Sequence, residues 1–155
     1  MKEGPTTTNS YVVEKDFQSI VTHTFTEDNG WCYKIPDCGF DLKPYDCYGF
    51  HNGLAYVMEL KWLNKPQAFN FSRLEQHQID NLIKTYEIMG DNARCMFIIG
   101  VEYGRLDKRA YVFCNEQRYE IARRKKEKRN ILKKEFDSMP FLKIKSRIVQ
   151  DLFIL

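Results

Sequence analysis

The apolar residues of this chain recur with helical spacing in some stretches and with strand spacing in others. A first helix is predicted over 10–24, with one apolar face built from Val13, Phe17, Ile20 and Val21. A second helix is predicted over 72–89, because Ser72 and Glu75 have the spacing of a capping box. A third is predicted over 115–134, and its middle is strongly basic.

Strands are predicted where short apolar runs are bounded by Gly, Pro, Asn or Asp. The nearly continuous apolar run at 95–101 is typical of a strand that is buried on both faces of a sheet. The other predicted strands cover 31–35, 45–51, 54–62, 109–114 and 141–144. Together with the helices they predict a single α/β domain over 1–155, with a mixed central sheet flanked by helices and a loose tail at 1–9.

The second and third predicted strands are joined by Asn52-Gly53, a pair that favours a type I′ turn because both positions need positive φ. A two-residue turn pairs Phe50 with Ala55, and a four-residue loop closed by the same residues keeps this register. Counting back along the strands, Asp46 is expected opposite Glu59. A three-residue loop would break this pairing.

Two carboxylates directly opposite each other, with Cβ atoms roughly 5 Å apart, repel unless a cation lies between them. Asp46 and Glu59 are therefore predicted to hold a divalent metal, and carboxylate oxygens suit Mg²⁺. Lys61 shares the strand face of Glu59 and is within reach of an anionic substrate atom. The alternative is an exposed hairpin in which the carboxylates meet by accident and Lys61 forms a salt bridge with Asp46.

Composition limits the classes of protein that fit. The chain has 155 residues, of which 43% are hydrophobic, so it can bury a core. It has no apolar run of the ~20 residues that a membrane span needs, and its first residues lack a signal-peptide pattern, so a soluble cytoplasmic protein is expected. The five cysteines have no CxxC spacing and are expected to be reduced thiols rather than disulfides or zinc ligands.

Positive charge is concentrated near the C-terminus. Between Arg118 and Lys134 lie nine Lys or Arg and two Glu, a net charge of +7, against +3 for the whole chain. Such asymmetry indicates an anionic partner, although a merely solvated helix face is the alternative. The predicted phosphate contacts are Arg123, Arg124, Lys125, Lys126, Lys128 and Arg129.

Asp46 followed by Glu59-Leu60-Lys61 resembles the motif of PD-(D/E)xK nucleases, with Pro44 displaced by one position. The segment 71–82, Phe-Ser-Arg-Leu-Glu-Gln-His-Gln-Ile-Asp-Asn-Leu, is similar to the RecU family of bacterial and phage Holliday-junction resolvases. The resemblance implies a restriction-endonuclease-like fold, cleavage of branched DNA by a homodimer, and Mg²⁺, for which Mn²⁺ can substitute.

The resemblance also assigns roles to residues. Asp46 and Glu59 would bind metal together with the Leu60 carbonyl, and Lys61 would assist the attacking water or the developing charge. Two further site residues, Glu14 and Gln78, match the family's acidic residue on the first helix and the Gln of its His-Gln-Ile motif.

One departure from the family concerns selectivity. RecU proteins carry a long stalk before the catalytic Asp, whereas only about ten residues, 36–45, fill that gap here. Nuclease chemistry is expected to persist, and the basic helix is a candidate substitute for the stalk. The alternatives are a flap- or structure-selective nuclease and a non-catalytic DNA-binding protein on the same fold.

Overall fold

The computed structural model describes residues 10–37, 42–114 and 116–154, and of residues 10–13 it describes the backbone only. The tail predicted at 1–9 lies outside this part of the chain. The helices are α1 Ser10–Glu27, α2 Gln76–Met89, α3 Gln117–Lys126 and α4 Lys133–Ser138. The strands are β1 Trp31–Lys34, β2 Cys47–His51, β3 Leu54–Leu63, β4 Ala93–Gly104, β5 Asp107–Cys114, β6 Leu142–Lys145 and β7 Ile148–Val149.

These seven strands of the described residues form one sheet, and their order in space equals their order along the chain. β3 and β4 are parallel, and every other neighbouring pair is antiparallel. A parallel pair needs a long crossover connection, and α2 lies in that connection. The prediction of a mixed α/β sheet flanked by helices is confirmed.

Helices cover both faces of the sheet. α1 packs on one face, where the ring of Phe17 lies 5.3 Å from that of Trp62. α2 packs on the other face, and its Ile79 belongs to the same buried cluster as Val57 of β3. Because side chains alternate along a strand, Glu59 shares the α2 face with Val57.

The turn of the β2–β3 hairpin has the predicted geometry, with φ of 49° at Asn52 and 80° at Gly53. The predicted register holds through the pairing of Cys47 with Met58. It then shifts, because the Asp46 N–H donates to the Met58 carbonyl at 3.1 Å. Asp46 therefore lies beside the end of the ladder and not in the directly opposed position that the sequence predicts.

The start of α2 differs from the prediction. Ser72 is not the cap of this helix; its N–H donates to the side chain of Asn70 in a separate turn over Phe71–Arg73. α2 begins at Gln76, after Glu75, whose N–H donates to Oε1 of Gln78 at 2.8 Å. The capping interaction exists, but it lies three residues later than predicted.

The single helix predicted over 115–134 is two helices, α3 and α4. Lys128 has a φ of 56°, which a continuing helix does not allow. Ile131 then pairs with Phe69 through backbone hydrogen bonds of 2.9 and 3.1 Å and is fully buried. Burying this isolated apolar side chain redirects the chain away from the helical path.

Four cysteines of the described residues, Cys32, Cys47, Cys95 and Cys114, are free thiols, as expected, and Cys38 lies outside those residues. None of the described helices is long and apolar enough to cross a membrane.

Candidate active site

The two predicted metal-binding carboxylates are both buried, with Asp46 5% exposed and Glu59 fully inaccessible. Asp46 accepts a hydrogen bond of 2.8 Å from the Leu60 N–H through Oδ2. Its Oδ1 lies 3.1 Å from Nζ of Lys43, a partner that the sequence did not indicate. Asp46 is thereby held against the backbone of the strand that carries Glu59.

Glu59 is bound on one oxygen and unpartnered on the other. Its Oε1 accepts a 2.7 Å hydrogen bond from Nε2 of Gln78 and lies 3.5 Å from Nζ of Lys61. Its Oε2 is buried and has no hydrogen-bond partner among the described residues. Lys61 pairs with Glu59, and not with Asp46 as the alternative sequence interpretation required.

Gln78 contributes both ends of its side-chain amide. Its Oε1 accepts from the Glu75 N–H at the start of α2, while its Nε2 donates to Glu59. The helix start therefore fixes which amide atom faces the carboxylate. Gln78 thus contacts the predicted metal-binding Glu59, and its role in a site stays a prediction of the sequence resemblance.

Burial raises the pKa of Glu59 well above its usual range, and the neighbouring Asp46 carboxylate raises this pKa further. The Lys61 ammonium acts in the opposite direction but does not compensate. Burial alone would lower the pKa of Lys43, but Asp46 and Asp37 outweigh burial and raise it. The negative charges of Asp46 and Glu59 thus repel each other, and a cation bound beside them would stabilise both ionised carboxylates.

A divalent metal fits these residues. Two adjacent buried carboxylates and the unpartnered Oε2 of Glu59 supply hard oxygen donors to a cation. Among the described residues, no cluster of three or more His, Cys, Asp and Glu side chains could hold a metal. Any metal here would therefore need backbone, water or substrate oxygens as well; the Leu60 carbonyl stays a predicted ligand.

Asp46 lines an open cleft of about 360 Å³ between α1, α2 and the connection before β2. The buried Glu59 does not line this cleft but contacts two residues that do, Lys61 and Gln78. Four predicted site residues line this cleft, Glu14, Asp46, Lys61 and Gln78. The rest of its lining is Lys15, Gln18, Lys34, Ile35, Pro36, Asp37 and Lys43.

Glu14 enters the cleft from α1 and is tied to the strand that carries Glu59. Its Oε1 accepts from the Arg73 guanidinium at 2.6 Å and from the Trp62 N–H at 3.3 Å. Asp16, two residues on, instead pairs with Arg147 away from the cleft. The sequence did not indicate the contact of Arg73 with Glu14, because the two residues are 59 positions apart.

The basic segment is less uniform than its sequence indicates. Arg124 is half-buried between the carboxylates of Glu120 and Glu135, and Lys125 donates to the Phe71 carbonyl. Arg124 therefore has acidic partners within the protein, although the net charge of this segment is +7. The exposed predicted contacts are Arg123, Lys126, Lys128 and Arg129, of which Arg123 and Arg129 also pair with acids.

The structure reveals a second basic surface that the sequence analysis missed. A groove of about 640 Å³ lies between the β4–β5 turn, β6 and the β6–β7 turn, on the side of α1 opposite the cleft. Its charged lining comprises Arg105, Lys108, Arg109, Lys143, Lys145 and Arg147, against Asp16 and Asp107. These cations are scattered in the sequence and converge only when the strands pair.

No known protein family matches the chain, and no curated protein matches its sequence. Among solved structures it is similar to Archaeoglobus fulgidus Hjc, described as a Holliday junction resolvase from an archaeal hyperthermophile. The two share 11% identity and a TM-score of 0.39 over 56% of this chain and 66% of that chain. A similarity this low does not identify family or function.

Proposed function

We propose that the protein is a metal-dependent DNA endonuclease that acts on branched DNA. The observation that carries this proposal is the set formed by Asp46, Glu59 and Lys61, brought together by the hairpin at the side of an open cleft. The order of the first helix, three antiparallel strands, crossover helix and parallel strand agrees with the nuclease fold that the sequence motif implies.

In the proposed mechanism, a Mg²⁺ or Mn²⁺ ion held by Asp46 and Glu59 would supply Lewis-acid chemistry when bound. Nε2 of Gln78 donates to Oε1 of Glu59 and so holds this carboxylate in place. Oε2 of Glu59, which has no partner among the described residues, would be available to the metal. Lys61 lines the cleft and would stabilise negative charge that develops on the phosphate in the transition state.

DNA would reach this cleft along the basic surfaces. The exposed cations in the last turn of α3 and just after it, together with those of the β4–β7 groove, would contact phosphates without reading sequence. The structural ion pairs of Arg124 make it a poorer phosphate ligand than Lys126 or Lys128. Of the six predicted phosphate contacts, we therefore propose chiefly the exposed ones, Arg123, Lys126, Lys128 and Arg129.

Junction resolution by a homodimer is the finer form of the proposal, and it rests on the resemblance to RecU proteins. Two opposed cuts require two sites, and a twofold dimer would supply them. From the same resemblance we propose that the protein acts in the cytoplasm of a bacterium, either as a bacterial protein or as a phage-encoded one. A flap- or structure-selective nuclease uses the same site, whereas a non-catalytic DNA-binding protein would not need these carboxylates.

Cleavage rates on DNA of different shapes test the proposal. The wild-type protein should cut a mobile four-way junction faster than a three-way junction, a flap or a linear duplex of equal arm sequence, with Mg²⁺ and not with EDTA. Light scattering in the same buffer should give twice the chain mass. Equal rates on all shapes by a monomer would remove the resolvase proposal, and no cleavage at all would leave the DNA-binding alternative.

A further inference from the structure

An exposed group of aromatic rings lies on β1 and β2, the edge strand next to the cleft and its neighbour. Cross-strand pairing places Trp31 opposite Phe50 and Tyr33 opposite Tyr48, so all four rings stand on one face. Trp31 is 50% exposed, Phe50 52% and Tyr33 45%. We call these four residues the aromatic face.

The rings are ordered relative to one another. Trp31 is nearly parallel to Tyr33, at 10°, and to Phe50, at 17°, with centroids about 6 Å apart in both pairs. Tyr48 is tilted against all three and lies deeper, where it packs on the core beneath α2. The aromatic face is therefore a fixed arrangement and not a set of independent surface residues.

Packing among the described residues does not account for this surface. α2 covers β3 and β4 on this face, but its last turn, with Ile88 and Met89 exposed, only borders the aromatic residues. Between them is an open, mostly apolar hollow of about 390 Å³, lined in part by Tyr48, Phe50 and Met89. Exposed apolar patches of this kind mark binding surfaces in soluble proteins.

The aromatic face leads into the candidate active site. Tyr48 pairs with Val57, and Glu59 follows two residues later on the same face of β3, roughly 7 Å along the strand. Ile35 lines both the hollow and the cleft. Lys34 and Lys61 lie in the lining of the cleft and supply positive charge beside the apolar surface, whereas Lys43 there is paired with Asp37 and Asp46.

We propose that the aromatic face binds unpaired DNA bases by stacking, next to the phosphate that is cut. Proteins that bind single-stranded nucleic acids combine aromatic rings, on which the bases stack, with basic side chains, which contact the phosphates. The adjacent cations favour this occupant over a second copy of the chain. The inference rests on the proposed nuclease function and adds its substrate class, DNA with unpaired bases at the cleavage site.

The two tryptophans provide a direct readout, because Trp31 is half exposed whereas Trp62 is 4% exposed. An oligothymidine titrated into the wild-type protein in EDTA should quench the Trp31 fluorescence, and the variant W31F should show no quenching. F50A should weaken oligothymidine binding roughly 5- to 100-fold, as expected for the loss of one stacking contact. Its affinity for blunt linear duplex should stay unchanged.

F50L is the second variant, to be used in case F50A does not fold. It keeps an apolar side chain of similar volume at this position but removes the aromatic ring. The inference would be overturned if oligothymidine left the Trp31 fluorescence of the wild type unquenched and bound F50L as tightly as the wild type. A dimeric wild type that F50L converts to a monomer by light scattering would also overturn it and assign the face to self-association. Both readouts are made without metal, so loss of the nuclease proposal alone would leave them informative.

Discussion

At the scale of single residues, Gln78 connects the chemistry of the site to the fold. One amide group closes the first turn of α2 and holds a buried carboxylate, so the helix position and the Glu59 orientation are coupled. Glu59 in turn keeps one oxygen without a hydrogen-bond partner in the part of the chain that the structure describes. Such supporting contacts commonly affect a metal site nearly as much as its ligands do.

Replacing Gln78 by Ala should therefore impair metal use more than folding. We expect the metal concentration for half-maximal cleavage to rise, or the rate to fall, by about 10- to 100-fold. Metal titrations of cleavage measure this effect. Gln76→Ala, which removes an exposed contact to Asp80 in the same turn, is the control and should behave as wild type. Identical metal dependence in both variants would contradict the role of Gln78.

Glu59 should also give the metal-free protein a distinctive pH dependence. Because its folded-state pKa is raised above the ordinary value of 4.5, the folded state holds a proton that the unfolded state has lost. Stability should thus fall as pH rises from about 4.5 to the raised pKa, by up to ~1.4 kcal/mol per pH unit.

Urea unfolding in EDTA at several pH values measures this slope. Glu59→Gln should remove the part of the slope that Glu59 contributes and leave a flatter profile. A variant whose stability falls with pH as steeply as that of the wild type would show that Glu59 is ionised in the folded protein.

At the scale of elements, local chemistry explains what the sequence predicts well. The Asn52-Gly53 turn fixes the hairpin register from its own backbone preferences, and the register then holds as far as Cys47. The end of α3 depends instead on Ile131 reaching Phe69, a contact that spans 62 positions. The shift at Asp46 likewise depends on the Leu60 N–H that its carboxylate accepts.

The connection between α3 and α4 depends on Arg124, which joins Glu120 to Glu135. Hydrogen bonds from Arg124 and from the Leu132 N–H lower the pKa of Glu135 to about 2. Glu135→Gln should reduce the free energy of unfolding by about 1 kcal/mol near neutral pH.

This loss should persist above pH 4.5 and disappear as pH falls toward about 2, where the wild-type carboxylate is also protonated. Glu87→Gln, at an exposed position of α2, is the control. Denaturant unfolding of both variants across this range measures the effect, and a pH-independent difference would refute the ion-pair explanation.

At the scale of the whole molecule, basic residues form two separate surfaces, one at the C-terminal end of α3 and one in the β4–β7 groove. Only the first was predictable, because its cations are contiguous in sequence, whereas those of the groove come from two hairpins. The cleft was not predictable for the same reason, because its lining combines residues of α1, α2 and β3 that are distant in sequence.

Changing Lys143, Lys145 and Arg105 to Gln should weaken binding to all duplex sequences equally, as should changing Arg123, Lys126 and Lys128. Each lost phosphate contact should flatten the slope of log affinity against log salt by about 0.9. Lys84→Gln, on the exposed side of α2, is the control. A surface whose triple variant keeps the wild-type slope does not contact DNA.

The central claim is that Asp46, Glu59 and Lys61 form a metal-dependent catalytic site. The most direct measurement is Mg²⁺-dependent cleavage of a branched DNA by Asp46→Asn, Glu59→Gln and Lys61→Ala, beside Glu87→Gln as an exposed carboxylate control. We predict loss of cleavage in the first two, a strongly reduced rate in the third, and retained DNA binding in all. Wild-type cleavage rates in folded Asp46→Asn and Glu59→Gln proteins would contradict the site.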